Sequence, residues 1–220
     1  MCPHPLTRKP LLCYVTDRRS LAESPTLARN LQLEKIEQAA KAGVDWVQIR
    51  EKDLSGRGLA KLTEQAIQRA GSDSSVLVND RLDVARAAGA AGVHLGGNSL
   101  SPSEVRKLVN RGGARANFLI GVSAHSLEGA VQAEQAGADY VIFGPVYTTP
   151  SKASFGEPQG VQRLKEICKR LTIPVLAIGG ITVENAAECV GAGVAGIAAI
   201  RLFQDGQDLD AVVKELRKVS

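Results

Sequence analysis

Short apolar runs alternate along the chain with longer, alanine-rich stretches whose apolar positions recur at helical spacing. Eight runs have strand length. They are LLCYVTD from Leu11, WVQIR from Trp46, SVLVND from Ser75, GVHLG from Gly92, NFLIGVSA from Asn117, YVIFG from Tyr140, IPVLAIGG from Ile173 and GIAAI from Gly196. All are nearly continuous in apolar residues, as strands covered on both faces must be. Between them the pattern predicts helices over Leu27–Ala42, Leu59–Ala70, Leu127–Ala136, Val161–Arg170 and Val183–Ala192.

One phrase recurs four times: Ala42-Gly43, Ala88-Gly89, Ala136-Gly137 and Ala192-Gly193 each close an alanine-rich stretch shortly before an apolar run. This reads as a helix ending on a left-handed glycine, a short turn and a buried strand. Strict alternation of strand and helix means parallel strands with right-handed crossovers. Eight such units in 220 residues predict an α/β fold of the closed (β/α)8 (TIM) barrel type, one domain over 11–220. A doubly wound open sheet is the alternative. It usually carries a glycine fingerprint after its first strand, whereas this strand ends in Thr16-Asp17-Arg18-Arg19. Residues 1–10, MCPHPLTRKP, are proline-rich and read as a disordered tail that includes His4.

Composition narrows the function. Hydrophobic residues make up 44% of the chain and aromatics 4%, so the core must be built from Ala, Val, Leu and Ile. A net charge of +4 suits small anionic ligands and is too slight for a nucleic-acid surface. No run reaches membrane-spanning length, and the first ten residues lack the apolar core of a signal peptide. Cys2, Cys13, Cys168 and Cys189 form no metal-binding spacing and read as reduced thiols. The expectation is a cytoplasmic enzyme acting on phosphorylated small molecules, alone or as a homo-oligomer, with neither nucleic acid nor membrane as partner.

In a barrel of this type, function gathers at the C-terminal ends of the strands. Those ends deliver Thr16 and Asp17; Gln48, Arg50, Glu51 and Lys52; Asn79, Asp80 and Arg81; His94, Asn98 and Ser99; Ser123 and His125; Gly179 and Gly180; Ile200 and Arg201. The sixth strand leads into the longest connection, VYTTPSKASFGEPQG, with Thr149, Ser151 and Lys152. Arg50, Lys52, Lys152 and Arg201 thus aim four cations at one mouth, the pattern of a phosphate or diphosphate clamp. The bland alternative for Arg50 and Lys52 is pairing with Glu51 and Asp53. Gly179-Gly180 would let backbone N–H groups approach an anion, or would simply serve a tight turn. Asp80 reads as a Mg²⁺ ligand beside Asn79, or as a helix cap or partner of Arg81. His94 reads as a core histidine, and His125 as an acid/base candidate or a residue at a helix start.

Taken in order, YVTDRR, VQIREKD, VNDR, GVHLG, GVSAHS, FGPVYTTPSK and AIGGIT resemble the thiamine phosphate synthases and the related thiazole tautomerases, from about Leu12 to Phe203. The resemblance implies a (β/α)8 enzyme that couples hydroxymethylpyrimidine diphosphate to thiazole phosphate with Mg²⁺. It assigns the diphosphate to Arg50, Lys52, Asn79 and Lys152, and the pyrimidine to Gln48 and Ser123. The thiazole phosphate falls to Thr149, Ser151, Gly180 and the backbone of Ile200 and Arg201, and Mg²⁺ to Asp80. Where the synthase pattern carries a second acidic ligand after the fourth strand, this chain has Ser99. Arg201 stands where that pattern has a small residue. A tautomerase, for which His125 would be the acid/base group, and a non-catalytic phosphate-binding barrel are the two alternatives.

Overall fold

The computed structural model describes residues 10–111, 117–149 and 157–219. Eight strands form a closed parallel barrel in sequence order. They are β1 (Leu11–Val15), β2 (Trp46–Ile49), β3 (Ser75–Asn79), β4 (Gly92–Leu95), β5 (Leu119–Ala124), β6 (Tyr140–Phe143), β7 (Val175–Ile178) and β8 (Gly196–Ala199). The ring closes where Leu11–Tyr14 pair with Gly196–Ala199. The helices are α1 (Pro25–Ala42), α2 (Gly56–Ala70), α3 (Leu82–Ala87), α4 (Pro102–Arg111), α5 (Leu127–Gln135), α6 (Gly160–Arg170), α7 (Ala186–Gly191), α8 (Arg201–Gln204) and α9 (Leu209–Lys218). A single 3-10 turn, Arg18–Ser20, follows β1.

The recurring glycines explain how each helix hands over to the next strand. Gly43, Gly89, Gly137 and Gly193 have φ of 95°, 72°, 88° and 101°, a region that side chains with a Cβ enter only at a cost. Each strand then alternates between two cores. Residues facing the helices, such as Leu12, Val47, Val78, Val93, Ile120, Val141, Ala177 and Ile197, belong to the larger one. Residues facing the barrel axis, including Leu11, Cys13, Trp46, Leu77, Tyr140, Ile142, Leu176 and Ala198, form the second.

The inner core is filled by complementarity of size. Trp46 packs on Tyr140 with ring centroids 4.7 Å apart. The space they need is provided on the neighbouring strand at Gly121, the register partner of Tyr140, where a Cβ would stand 2.0 Å from the Tyr140 ring. The base is closed by Arg217 of α9. It donates to the carbonyls of Pro10 and Gly43 and pairs with Asp45, which in turn accepts from the Leu12 N–H.

Candidate active site

Period-two alternation carries the inner-facing set past the strands into the mouth of the barrel. Gln48, Asn79, His94 and Ser123 form the top polar layer. The Gln48 amide donates to Asn79 Oδ1 at 3.2 Å. Gln48 is 2% exposed, and its own Oε1 is buried without a partner among the described residues. His94 is held at both nitrogens, Nδ1 lying 3.2 Å from the Tyr140 hydroxyl and Nε2 2.8 Å from Ser123 Oγ. Burial, and after it the nearby Arg50 charge, lowers its pKa to about 3. His94 is therefore a neutral core histidine that orients Ser123.

The end of β3 carries the most unusual backbone of the molecule. Asp80 has φ of 66°, and among the described residues it is the one position other than glycine with positive φ. Its N–H donates to the His94 carbonyl at 2.7 Å, which fixes the turn and projects the carboxylate into solvent at the rim. Such a conformation costs about 1–3 kcal/mol for most residues with a Cβ and clusters at functional sites, and Asp tolerates it better than most. Asp80 makes no capping hydrogen bond to α3 and no ion pair with Arg81, although its charge acts on that neighbour. The N-cap of α3 has no side-chain hydrogen bond, and Arg81 pairs with Asp83. Instead the Ser99 hydroxyl donates to Asp80 Oδ1 and accepts from the Gly96 N–H. Ser99, which stands where the synthase pattern has an acidic residue, is thus bonded directly to Asp80.

Arg50 is half-buried and Lys52 exposed. Neither forms an ion pair with a described residue, because Glu51 and Asp53 are both taken by Arg18. The pairing of Arg50 and Lys52 with their acidic neighbours does not occur. Thr16, expected at the mouth, is fully buried on the helix side of the strand and donates to Glu51 Oε1 at 2.7 Å.

Across the mouth, Gly179 and Gly180 have φ of 100° and 65°. A Cβ at Gly179 would lie 2.6 Å from the Pro145 Cα, and one at Gly180 2.6 Å from the Thr148 carbonyl oxygen. The glycines therefore serve both a left-handed turn and the close passage of the connection after β6. Asn185 ties this turn down, donating to the Gly180 carbonyl at 2.9 Å and accepting from the Thr182 N–H at 2.8 Å. The N–H groups of Gly180, Ile200 and Arg201 donate to no group among the described residues. Arg201 opens α8 at the exposed rim.

His125 precedes Ser126, the N-cap of α5, and its Nδ1 donates to the Gly144 carbonyl. Its Nε2 makes no hydrogen bond to a described residue. Thr149 is half-buried at the foot of the long connection. Ser151 and Lys152 lie outside the described residues. Sequence reasoning did not foresee Arg18, whose partners are 33 and 35 residues away. It also missed Tyr140, which reads locally as one more core aromatic.

Residues 12–203 match the family model described as thiamine monophosphate synthase. A thiamine-phosphate synthase of Methanoculleus marisnigri is 44% identical over 181 residues, 81% of this chain and 83% of that protein. One of Clostridium novyi is 37% identical over 208 residues, 94% and 97% of the two. The structure of a thiamine phosphate pyrophosphorylase from Pyrococcus furiosus superposes with a TM-score of 0.81 at 33% identity, covering 96% of each chain. With the matched segment spanning the whole barrel from β1 to α8, the chain belongs to the thiamine monophosphate synthase family.

Proposed function

We propose that this chain is a thiamine-phosphate synthase. It transfers the hydroxymethylpyrimidine group from its diphosphate to the ring nitrogen of thiazole phosphate and releases diphosphate. The observation that carries this reading is the state of the rim. Arg50, Lys52 and Arg201 stand there without a carboxylate partner among the described residues, and the Gly180, Ile200 and Arg201 N–H groups are unengaged opposite. Two separate anion grips suit a reaction with two phosphorylated substrates.

In the proposed reaction the pyrimidine C–O bond ionises as diphosphate leaves, and the thiazole nitrogen captures the cation. Arg50, Lys52 and Asn79 stabilise the charge that grows on the leaving group, with Lys152 from the long connection. Gln48, whose buried Oε1 lacks a partner among the described residues, is the acceptor assigned to the pyrimidine amine, and Ser123, bonded to His94, is assigned to the same ring. Gly179, Gly180, the Ile200–Arg201 turn, Thr149 and Ser151 receive the thiazole phosphate.

The residues fit Mg²⁺ only in the company of a diphosphate. The described residues contain no cluster of three or more His, Cys, Asp or Glu side chains able to hold a metal. Asp80 is a single carboxylate, with Ser99 bonded to one of its oxygens. Mg²⁺ is commonly held by one or two carboxylates together with substrate phosphates, and here Asp80 would be the protein's share. The ion would neutralise charge on the departing diphosphate.

The test is direct. The purified protein, given both substrates and Mg²⁺, forms thiamine phosphate, and Arg50→Ala lowers kcat/KM at least about tenfold. A second reading, thiazole tautomerase, is favoured by Ser99 in place of a carboxylate and by the unengaged His125 Nε2. Metal-independent turnover of the thiazole tautomer, lost in His125→Ala and accompanied by no coupling at any Mg²⁺ concentration, would establish it instead.

A further inference from the structure

The segment that carries Arg50 and Lys52 also carries Glu51 and Asp53, so it holds its own antidote to anion binding. A charged strand end of sequence Arg-Glu-Lys-Asp would be expected to pair internally. Here both carboxylates are instead taken up by Arg18. Glu51 is 5% exposed and accepts from Thr16 Oγ1 at 2.7 Å, the Arg18 N–H at 3.2 Å, Arg18 Nη1 at 2.8 Å and Gln32 Nε2. The same guanidinium forks onto Asp53, Nη1 to Oδ1 at 2.7 Å and Nη2 to Oδ2 at 2.6 Å. Thr16 Oγ1 also accepts from the Arg50 N–H at 3.0 Å, so the buried carboxylate fixes the Arg50 backbone through one hydroxyl.

We infer that Arg18 is a positioning residue for anion binding. It sequesters both carboxylates of its neighbour segment and thereby leaves Arg50 and Lys52 unneutralised at the mouth. This rests on the diphosphate reading of the preceding section. The guanidinium is suited to the task because its planar fork spans two carboxylates at once, which a lysine ammonium cannot do with the same geometry. Arg18 itself is 7% exposed. It acts through the 50–53 segment and needs no contact with substrate.

The inference is tested by titrating inorganic diphosphate, with Mg²⁺ present, into the full chain by calorimetry. Arg18→Lys keeps a buried positive charge for Glu51 but releases Asp53, one and three residues from Lys52 and Arg50. Diphosphate binding should weaken roughly fivefold, the size an exposed ion pair can reach. Adding Asp53→Asn to Arg18→Lys should return affinity to the wild-type value, and Asp53→Asn alone should leave it unchanged. A merely structural role for Arg18 would not be repaired by removing a second charge. Thermal melting of the same samples monitors folding, and Arg18→Gln with its Asp53→Asn partner repeats the comparison if Arg18→Lys fails to fold. Unaltered binding in the Arg18 variants, or no recovery in the double variants, would overturn the inference. If the wild-type chain itself binds no diphosphate, the proposed function fails, and this inference with it.

Discussion

The imidazole of His94 is enclosed on both nitrogens and stays neutral down to about pH 3. An unfolded chain takes up a proton there near pH 6.5 that the folded chain refuses. The sign follows: this contribution to stability is complete above about pH 6.5 and falls as pH drops from there toward 3, by a few kcal/mol at most, on the order expected for a shift of this kind. Replacing His94 by Gln removes the titration. The drop in melting temperature between pH 7 and pH 4.5 should then shrink by about 5–10 °C; parallel melting curves against pH would refute the assignment. At Ser99 the expectation concerns metal. Wild-type protein should bind Mn²⁺ weakly without diphosphate, and Ser99→Asp should tighten that binding by about tenfold as a second carboxylate joins Asp80. Paramagnetic resonance of free Mn²⁺ measures it, and equal binding by the two proteins would exclude a shared site. The cations and Asp80 were legible in the sequence because strand ends can be read from periodicity. The bonds of Ser99 to Asp80 and of Arg18 to Glu51 were not, since they join residues 19 and 33 positions apart.

Among the elements, the strands were the easier part. Continuous apolar runs and the Ala-Gly repeat place them, because burial on both faces and left-handed helix ends leave local marks. Three of the helices are not among those the apolar pattern predicts. The helix Leu82–Ala87 is only six residues long, Pro102–Arg111 buries just Pro102, Val105 and Val109, and Leu209–Lys218 just Leu209, Val213 and Leu216. The first owes its helical character more to packing on the barrel than to a local pattern, whereas the other two bury a stripe at helical spacing. The turn after β7 supports a prediction at this scale. Gly180→Ala combines a left-handed backbone with a Cβ forced against Thr148 and Tyr147. It should destabilise the protein by about 1–3 kcal/mol and weaken binding of thiazole phosphate. Denaturant melts and ligand titration report the two effects, and a variant unchanged in both would show that the turn tolerates a side chain.

For the whole molecule, the decisive contact is the one between its extremes. The first strand pairs with the eighth, and Arg217 of the last helix grips Pro10, Gly43 and Asp45. Contacts this far apart in sequence are made at the highest loop-closure cost. A growing chain emerging from the ribosome therefore carries β1 with one edge unpaired until nearly all of it has been made. Nascent chains stalled before Gly196 should be protease-sensitive and prone to sticking together, through edges that the finished ring removes. Arg217→Ala should slow refolding more than the loss of a surface charge would. The cell must shelter this open sheet for most of the time it takes to synthesise the protein, and the cost of a seamless barrel is a long interval as an unfinished one.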